Sequence, residues 1–146
     1  IRWRVFSESF SGFFPFKVAP LEGFWQMANG EPGVDYTHKD KFEWTSVIRQ
    51  PEFVTDEVFA WACEQVQRQK GLDTSRARLW RFQEGLCAQM MHVGPYDRLG
   101  ATYDELMRWV ADQNERPGGQ VFEFYLNSPV SSPPQELQTR IELLLA

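Results

Sequence analysis

Apolar positions recur along this chain with two periods, and the switches between them outline seven elements. "FKVAPLEGFWQM" (16–27) is rich in β-formers and reads as a strand in which Pro20 and Gly23 suggest a bulge or a sheet edge. "ANGEPGVDYTHKD" (28–40) is polar, with two glycines and a proline, and reads as a loop. "KFEWTSVIRQP" (41–51) is a second strand, ended by Pro51. Thr55 then stands in an N-cap position ahead of Asp56 and Glu57, whose charges suit the first turn of a helix. Val58, Phe59, Ala62 and Val66 follow at helical spacing until Gly71. "LCAQMMHV" (86–93) is a third strand, stopped by Gly94-Pro95. Leu99, Tyr103, Leu106, Met107 and Val110 form the apolar stripe of a second helix, 99–114. Pro117-Gly118-Gly119 closes it, and "QVFEFYLNSP" (120–129) and "QTRIELLLA" (138–146) are the last two strands. "IRWRVFSESF" (1–10) fits either the end of a helix or a strand, and Gly12 and Pro15 break whatever it forms.

The order is therefore strand, strand, helix, strand, helix, strand, strand. Residues 86–146 make a strand–helix–strand–strand unit. The two front strands look like the end of a similar unit whose beginning lies before Ile1, an expectation strengthened by an opening without an initiator Met. The fold class expected is α+β. It consists of two βαββ-like repeats, the first truncated, with antiparallel sheets, helices on one face and the opposite face free to form a concave surface. The chain is expected to be a single domain, 1–146, with 1–51 a partial first repeat, 52–85 a helix and connector, and 86–146 the second repeat. The truncation would expose a sheet edge for a second chain to cover, making a homodimer.

Alternation in the 120–129 strand puts Phe122, Phe124 and Leu126 on one face and Val121, Glu123 and Tyr125 on the other. The phenylalanine face is the natural packing face. A carboxylate between Val121 and Tyr125 is then either solvated or the floor of a pocket. If that face closes, Glu123 is partly desolvated. Desolvation disfavours the charged form, and such a group can pair with a ligand cation or act as acid or base near neutral pH.

Composition narrows the classes. Aromatic content is high at 15%, with six Trp and twelve Phe, and aromatics can serve a core or line a ligand pocket. The net charge is −5 and Lys and Arg form no dense block, which argues against direct nucleic-acid binding. Cys63 and Cys87 belong to no CxxC, and His38 and His92 have no ligand-spaced partners, so no metal is expected and the cysteines read as buried free thiols. There is no GxSxG, no GxGxxG and no P-loop, so neither a serine triad nor a nucleotide cofactor is expected. No apolar run approaches 18 residues, which leaves no membrane span and a cytoplasmic location as the expectation.

"EGLCAQMMHVGPYDRL", a helix, "FEFYLNSP" and "TRIELLL", in this order and spacing, resemble GyrI-like small-molecule-binding domains. "PLEGFW" and "WTSVIRQPEFVT" resemble the stand-alone branch of that family. The resemblance implies two βαββ repeats related by a pseudo-twofold axis with a ligand groove between them. It also implies a ligand that is amphipathic and aromatic or cationic, or hydrolysis of strained cyclopropanoid electrophiles as a detoxification. A non-catalytic effector-binding or gyrase-inhibitor-like interaction module is the alternative. The family's acidic strand residue falls on Glu123. Val121 and Phe122 stand where the stand-alone branch often carries a His-His pair, and Gln26 where it carries a second Trp.

Glu123 and Tyr125 are thus the candidate catalytic pair, with Glu123 positioning a water and Tyr125 orienting the carboxylate. Trp25, Trp44, Glu22, Ile48, Met90 and His92 are candidate ligand-binding residues. Trp44 and Ile48 share a strand face, and a tryptophan can stack flat ligands or bind cations. Glu22 reaches the same side as Trp25 only if Gly23 bulges. His92 shares a face with Ala88 and Met90, and a lone histidine beside a Gly-Pro turn also suits a structural role. No cofactor is implied.

Overall fold

The computed structural model describes residues 10–30 and 33–146. They fall into two compact units, one formed by 10–19 and 49–82 and the other by 20–30, 33–48 and 83–146. The alternatives for 1–10 fall almost wholly outside the described residues.

The first unit is built on α1, Asp56–Lys70. Its start and stop are those read from the sequence. The Thr55 hydroxyl accepts a hydrogen bond from the Val58 N–H, and Gly71 takes the left-handed conformation (φ 64°), where a side chain would be strained. Around Phe53, which is buried, the rings of Phe13, Phe14 and Phe16 pack edge-on at 5.3–5.6 Å, and Phe10 meets Trp61 in the same way. The broken stretch after residue 10 is thus an irregular segment pinned by aromatic edges.

Among the described residues the second unit holds five strands: β1 (Leu21–Met27), β2 (Phe42–Ile48), β3 (Cys87–Val93), β4 (Pro117–Tyr125) and β5 (Gln138–Leu145). They form one antiparallel sheet in the order β2-β1-β4-β5-β3. The element order matches the sequence reading. Two details differ. β1 begins only at Leu21, after Pro20, whose missing N–H cannot serve a ladder, and it is an interior strand that runs through Gly23 without a bulge. A register shift lies in β4, between Pro117 and Val121, where Gly118 and Gly119 permit it.

The helix α2, Leu99–Asp112, supplies the other half of the core. Its stripe of Leu99, Tyr103, Leu106 and Val110 packs on Ala88, Val121, Ile141 and Leu143. By register those four sheet residues share a face with Glu123 and Tyr125. This corrects the expected layering, in which the helices covered the phenylalanine face and left the glutamate face bare. Phe24, Phe122 and Phe124 form a second cluster on the opposite face, with Phe24 and Phe122 stacked at 4.1 Å. Among the described residues no helix is long and apolar enough to cross a membrane.

Candidate functional site

Glu123 sits in mid-sheet, paired with Gly23 on one side and Ile141 on the other, and is only 4% exposed. Each carboxylate oxygen receives a phenol. Tyr36 donates to Oε1 at 2.5 Å and Tyr125 to Oε2 at 2.8 Å. The Tyr125 oxygen in turn accepts the indole N–H of Trp25 at 3.2 Å. Trp25, Tyr125, Glu123 and Tyr36 therefore form one hydrogen-bonded chain that fixes the carboxylate's orientation. Bonds to an ionised acceptor are the stronger kind.

The chain depends on Gly23. A Cβ there would lie 2.5 Å from Trp25 Nε1 and 3.1 Å from the Tyr125 hydroxyl. The missing side chain is the space through which the indole reaches the phenol. Tyr36 comes from the β1–β2 loop, and several bonds hold it in place. Gly33 donates to the Gly119 carbonyl and Val34 to the Tyr103 hydroxyl, while Asp35 clasps Thr37 and His38 through its carboxylate. Gly33 has φ 84°, and a Cβ on it would strike the Tyr103 hydroxyl, so no other residue brings the loop this close. The absence of a side chain at Gly100, in the first turn of α2, lets the Tyr36 ring settle against the helix.

Both phenols are pushed well above the ordinary tyrosine value, first by burial and then by the negative charge of Glu123 and the bond to it. They remain donors over the working pH range. Tyr96, edge-on to Tyr125 at 5.8 Å, is raised too, by burial and then by Glu123. Trp25 stacks on Trp44 at 5.6 Å, and Phe42 meets both Trp25 and Tyr36 edge-on. Trp44 is 59% exposed, and Leu21 and Ile48, on the same sheet face, are 44% and 43% exposed. The buried carboxylate thus adjoins an open aromatic and aliphatic shelf.

Of the residues proposed from sequence, Glu123, Tyr125, Trp25 and Trp44 come together, and Ile48 lies on the shelf. Three do not join them. Glu22 pairs with Phe124 and Val47 on the other face, because β1 does not bulge at Gly23. Met90 is in line with Glu123, but Ile141 stands between them and Met90 packs against the core. His92 is two strands from Tyr125, buried, with Nδ1 against the Thr102 hydroxyl at 2.8 Å and Nε2 on the Pro95 carbonyl at 3.2 Å. A carbonyl only accepts, so Nε2 carries a hydrogen, and the ring serves to tie β3 to the start of α2. Tyr36 is the site residue that sequence reasoning missed. The only local hint was an aromatic between Asp and Thr in a glycine-bounded loop. Among the described residues no three His, Cys, Asp or Glu side chains gather as metal ligands would.

The family model of the GyrI-like small molecule binding domain matches residues 4–146. An uncharacterized conserved protein from Listeria innocua, known from its crystal structure, is similar at 38% identity with a TM-score of 0.84, over 92% of this chain and 67% of that one. The crystal structure of a hydrolase from Listeria innocua is similar at 36% identity and TM-score 0.80, over 94% of this chain and 67% of that chain. That of a hydrolase encoded by lin2189 from the same organism is similar at 37% and 0.82, over 94% of this chain and 68% of that chain. No curated protein matches the chain.

Proposed function

We propose, for a chain that belongs to the GyrI-like small-molecule-binding domain family, that Glu123 anchors an amphipathic, aromatic or cationic small molecule lying on the Trp25–Trp44 shelf. One observation carries this reading: a buried carboxylate oriented by two phenols at the margin of an exposed aromatic surface. The shelf supplies apolar burial, about 25 cal/mol per Å2 before entropic losses. The carboxylate keeps acceptor capacity beyond its two phenols and selects for positive charge.

The finer fold reading goes with this. Residue n of β1 corresponds to residue n + 100 of β4, so that Gly23, Phe24 and Trp25 match Glu123, Phe124 and Tyr125 about an axis through the Gly23–Glu123 pair. The register supports two repeats meeting at the site, the first shortened, within a single domain. Glycine on one side of the axis then makes room for the machinery on the other.

A second reading rests on the two hydrolases among the similar structures. Here Glu123 takes a proton from water, and the water oxygen bonds to a carbon of a strained cyclopropane. The broken C–C bond's electron pair moves to the substrate's electron-accepting end, which takes a proton from solvent. Tyr36 and Tyr125 hold the carboxylate in line. General-base help is worth roughly 10²–10⁴ in rate, and ring strain lowers the remaining barrier. Removing a genotoxic electrophile in this way would be a cytoplasmic detoxification.

Titration of a cationic aromatic dye into wild type and Glu123→Gln tests the binding role, with weaker binding by the variant expected and equal affinity overturning it. Turnover of a cyclopropane-bearing alkylating compound, with more than one product per protein, separates hydrolysis from stoichiometric capture.

A further inference from the structure

Among the described residues β3 ends the sheet on its side. Its bonding to β5 fixes which backbone groups point outward. The Leu86 carbonyl accepts from Leu145 N–H and the Gly94 N–H donates to the Leu137 carbonyl, so the even-numbered residues between them face β5. The N–H and C=O groups of Cys87, Gln89, Met91 and Val93 therefore face away from the sheet.

Proteins usually blunt such an edge with charge, proline, a bulge or shortness. β3 has none of these. No Asp, Glu, Lys or Arg occurs from Gly85 to Pro95. Its seven pairs with β5 run without a register shift. Its side chains add apolar surface, since Leu86, Met91 and Val93 are 67%, 47% and 62% exposed. The opposite edge differs, for β2 carries Glu43 and is flanked by Lys39, Asp40, Lys41 and Arg49.

We propose that the outer edge of β3 pairs antiparallel, across a twofold axis, with β3 of a second copy of this chain. A matching occupant must be an extended, uncharged strand with apolar alternate residues, and β3 is one. Centred on Met90, the pairing sets Cys87 opposite Val93 and Gln89 opposite Met91, engages all the outward groups and faces no two like charges. In a chain of net charge −5, this strip lets copies approach without opposed carboxylates. Twofold pairing also closes, whereas β3 against β2 would propagate into a fibre.

Sedimentation equilibrium of the 146-residue chain over a concentration series tests the proposal. A monomer–dimer equilibrium is expected, weakened about tenfold or more by Met91→Lys and by Gln89→Pro. Proline at 89 removes an outward N–H and no bond to β5, and circular dichroism should show the fold intact. In a Cys63→Ser background, Val93→Cys should form a disulfide with Cys87 of the second copy, because hydrogen-bonded opposed residues sit ~5.5 Å apart. A monomer at every concentration overturns the proposal, as does a dimer indifferent to both edge variants. Loss of the dimer on Ser46→Lys in β2, with Met91→Lys harmless, assigns the contact to the other edge and equally overturns it.

Discussion

One face of one sheet is treated in two ways. Over β3, β5 and the Val121 end of β4 it is roofed by α2, and Val121, Ile141 and Leu143 are wholly buried. Over β1 and β2 the same face leaves Leu21, Trp44 and Ile48 largely exposed. Glu123 lies between them, with core on the Ile141 side and Gly23 and the shelf on the other. The roofed half gives the carboxylate a rigid, low-dielectric surround. In the proposed function the bare half is a ligand's way in. Each half alone would yield either a buried ion with no access or a surface carboxylate with no fixed orientation.

The largest expected difference between the halves is in stability. Leu106→Ala, under α2, should cost ~2–5 kcal/mol by chemical denaturation, and Leu21→Ala on the shelf should cost much less, about 0.5 kcal/mol. Similar losses would mean that the shelf is packed after all. Next comes the seam. Gly23→Ala should cost ~1–3 kcal/mol and also lower dye affinity, because its Cβ displaces Trp25 Nε1 and the Tyr125 hydroxyl. Unchanged affinity would show that the Trp25–Tyr125 bond does not serve the site.

A subtler test uses pH. Tyr36, Tyr96, Tyr103 and Tyr125, all the tyrosines of the chain, have raised values, with burial the first cause in each. A phenol raised in the folded state leaves stability intact below the unfolded value near 10. Above it the unfolded chain ionises first, so stability falls as pH rises. Phenolate absorbance from Tyr36 and Tyr125 should therefore appear together with loss of near-ultraviolet dichroism, well above pH 10. Titration of Tyr36 or Tyr125 near the ordinary value in the folded protein would contradict the packing around Glu123. The smallest effect is at the loop. Asp35 is lowered to about 2, chiefly by the side-chain bond from Thr37 and then by His38. Its contribution holds above the ordinary carboxyl value and is lost as pH falls through about 2. Asp35→Asn should change dye binding only slightly, read by the same titration.

The strands and helices were legible because their periods and caps are local. Thr55, Gly71 and the Leu99–Val110 stripe stand where the chain's pattern put them. Alternation also separated Glu123 and Tyr125 from Phe122 and Phe124. Parity says which residues share a face, not which face a helix will cover. Phe122 and Phe124 are more apolar than Glu123 and Tyr125, so apolarity alone points the helix to the face that α2 does not cover. Tyr36 was illegible for another reason. It lies in a loop without periodicity, and its place is set by Gly33, Gly100 and Tyr103, far apart in sequence.

The most direct test of Glu123 as the anchor between roof and shelf is the indole N–H spectrum of the nitrogen-labelled protein during titration with a cationic aromatic dye. The signals of Trp25 and Trp44 should move together and saturate, that of Trp109 should stay, and Glu123→Gln should reduce the response at equal dye. A shift of Trp109 without Trp25, or a Trp25 response undiminished in Glu123→Gln, would contradict it.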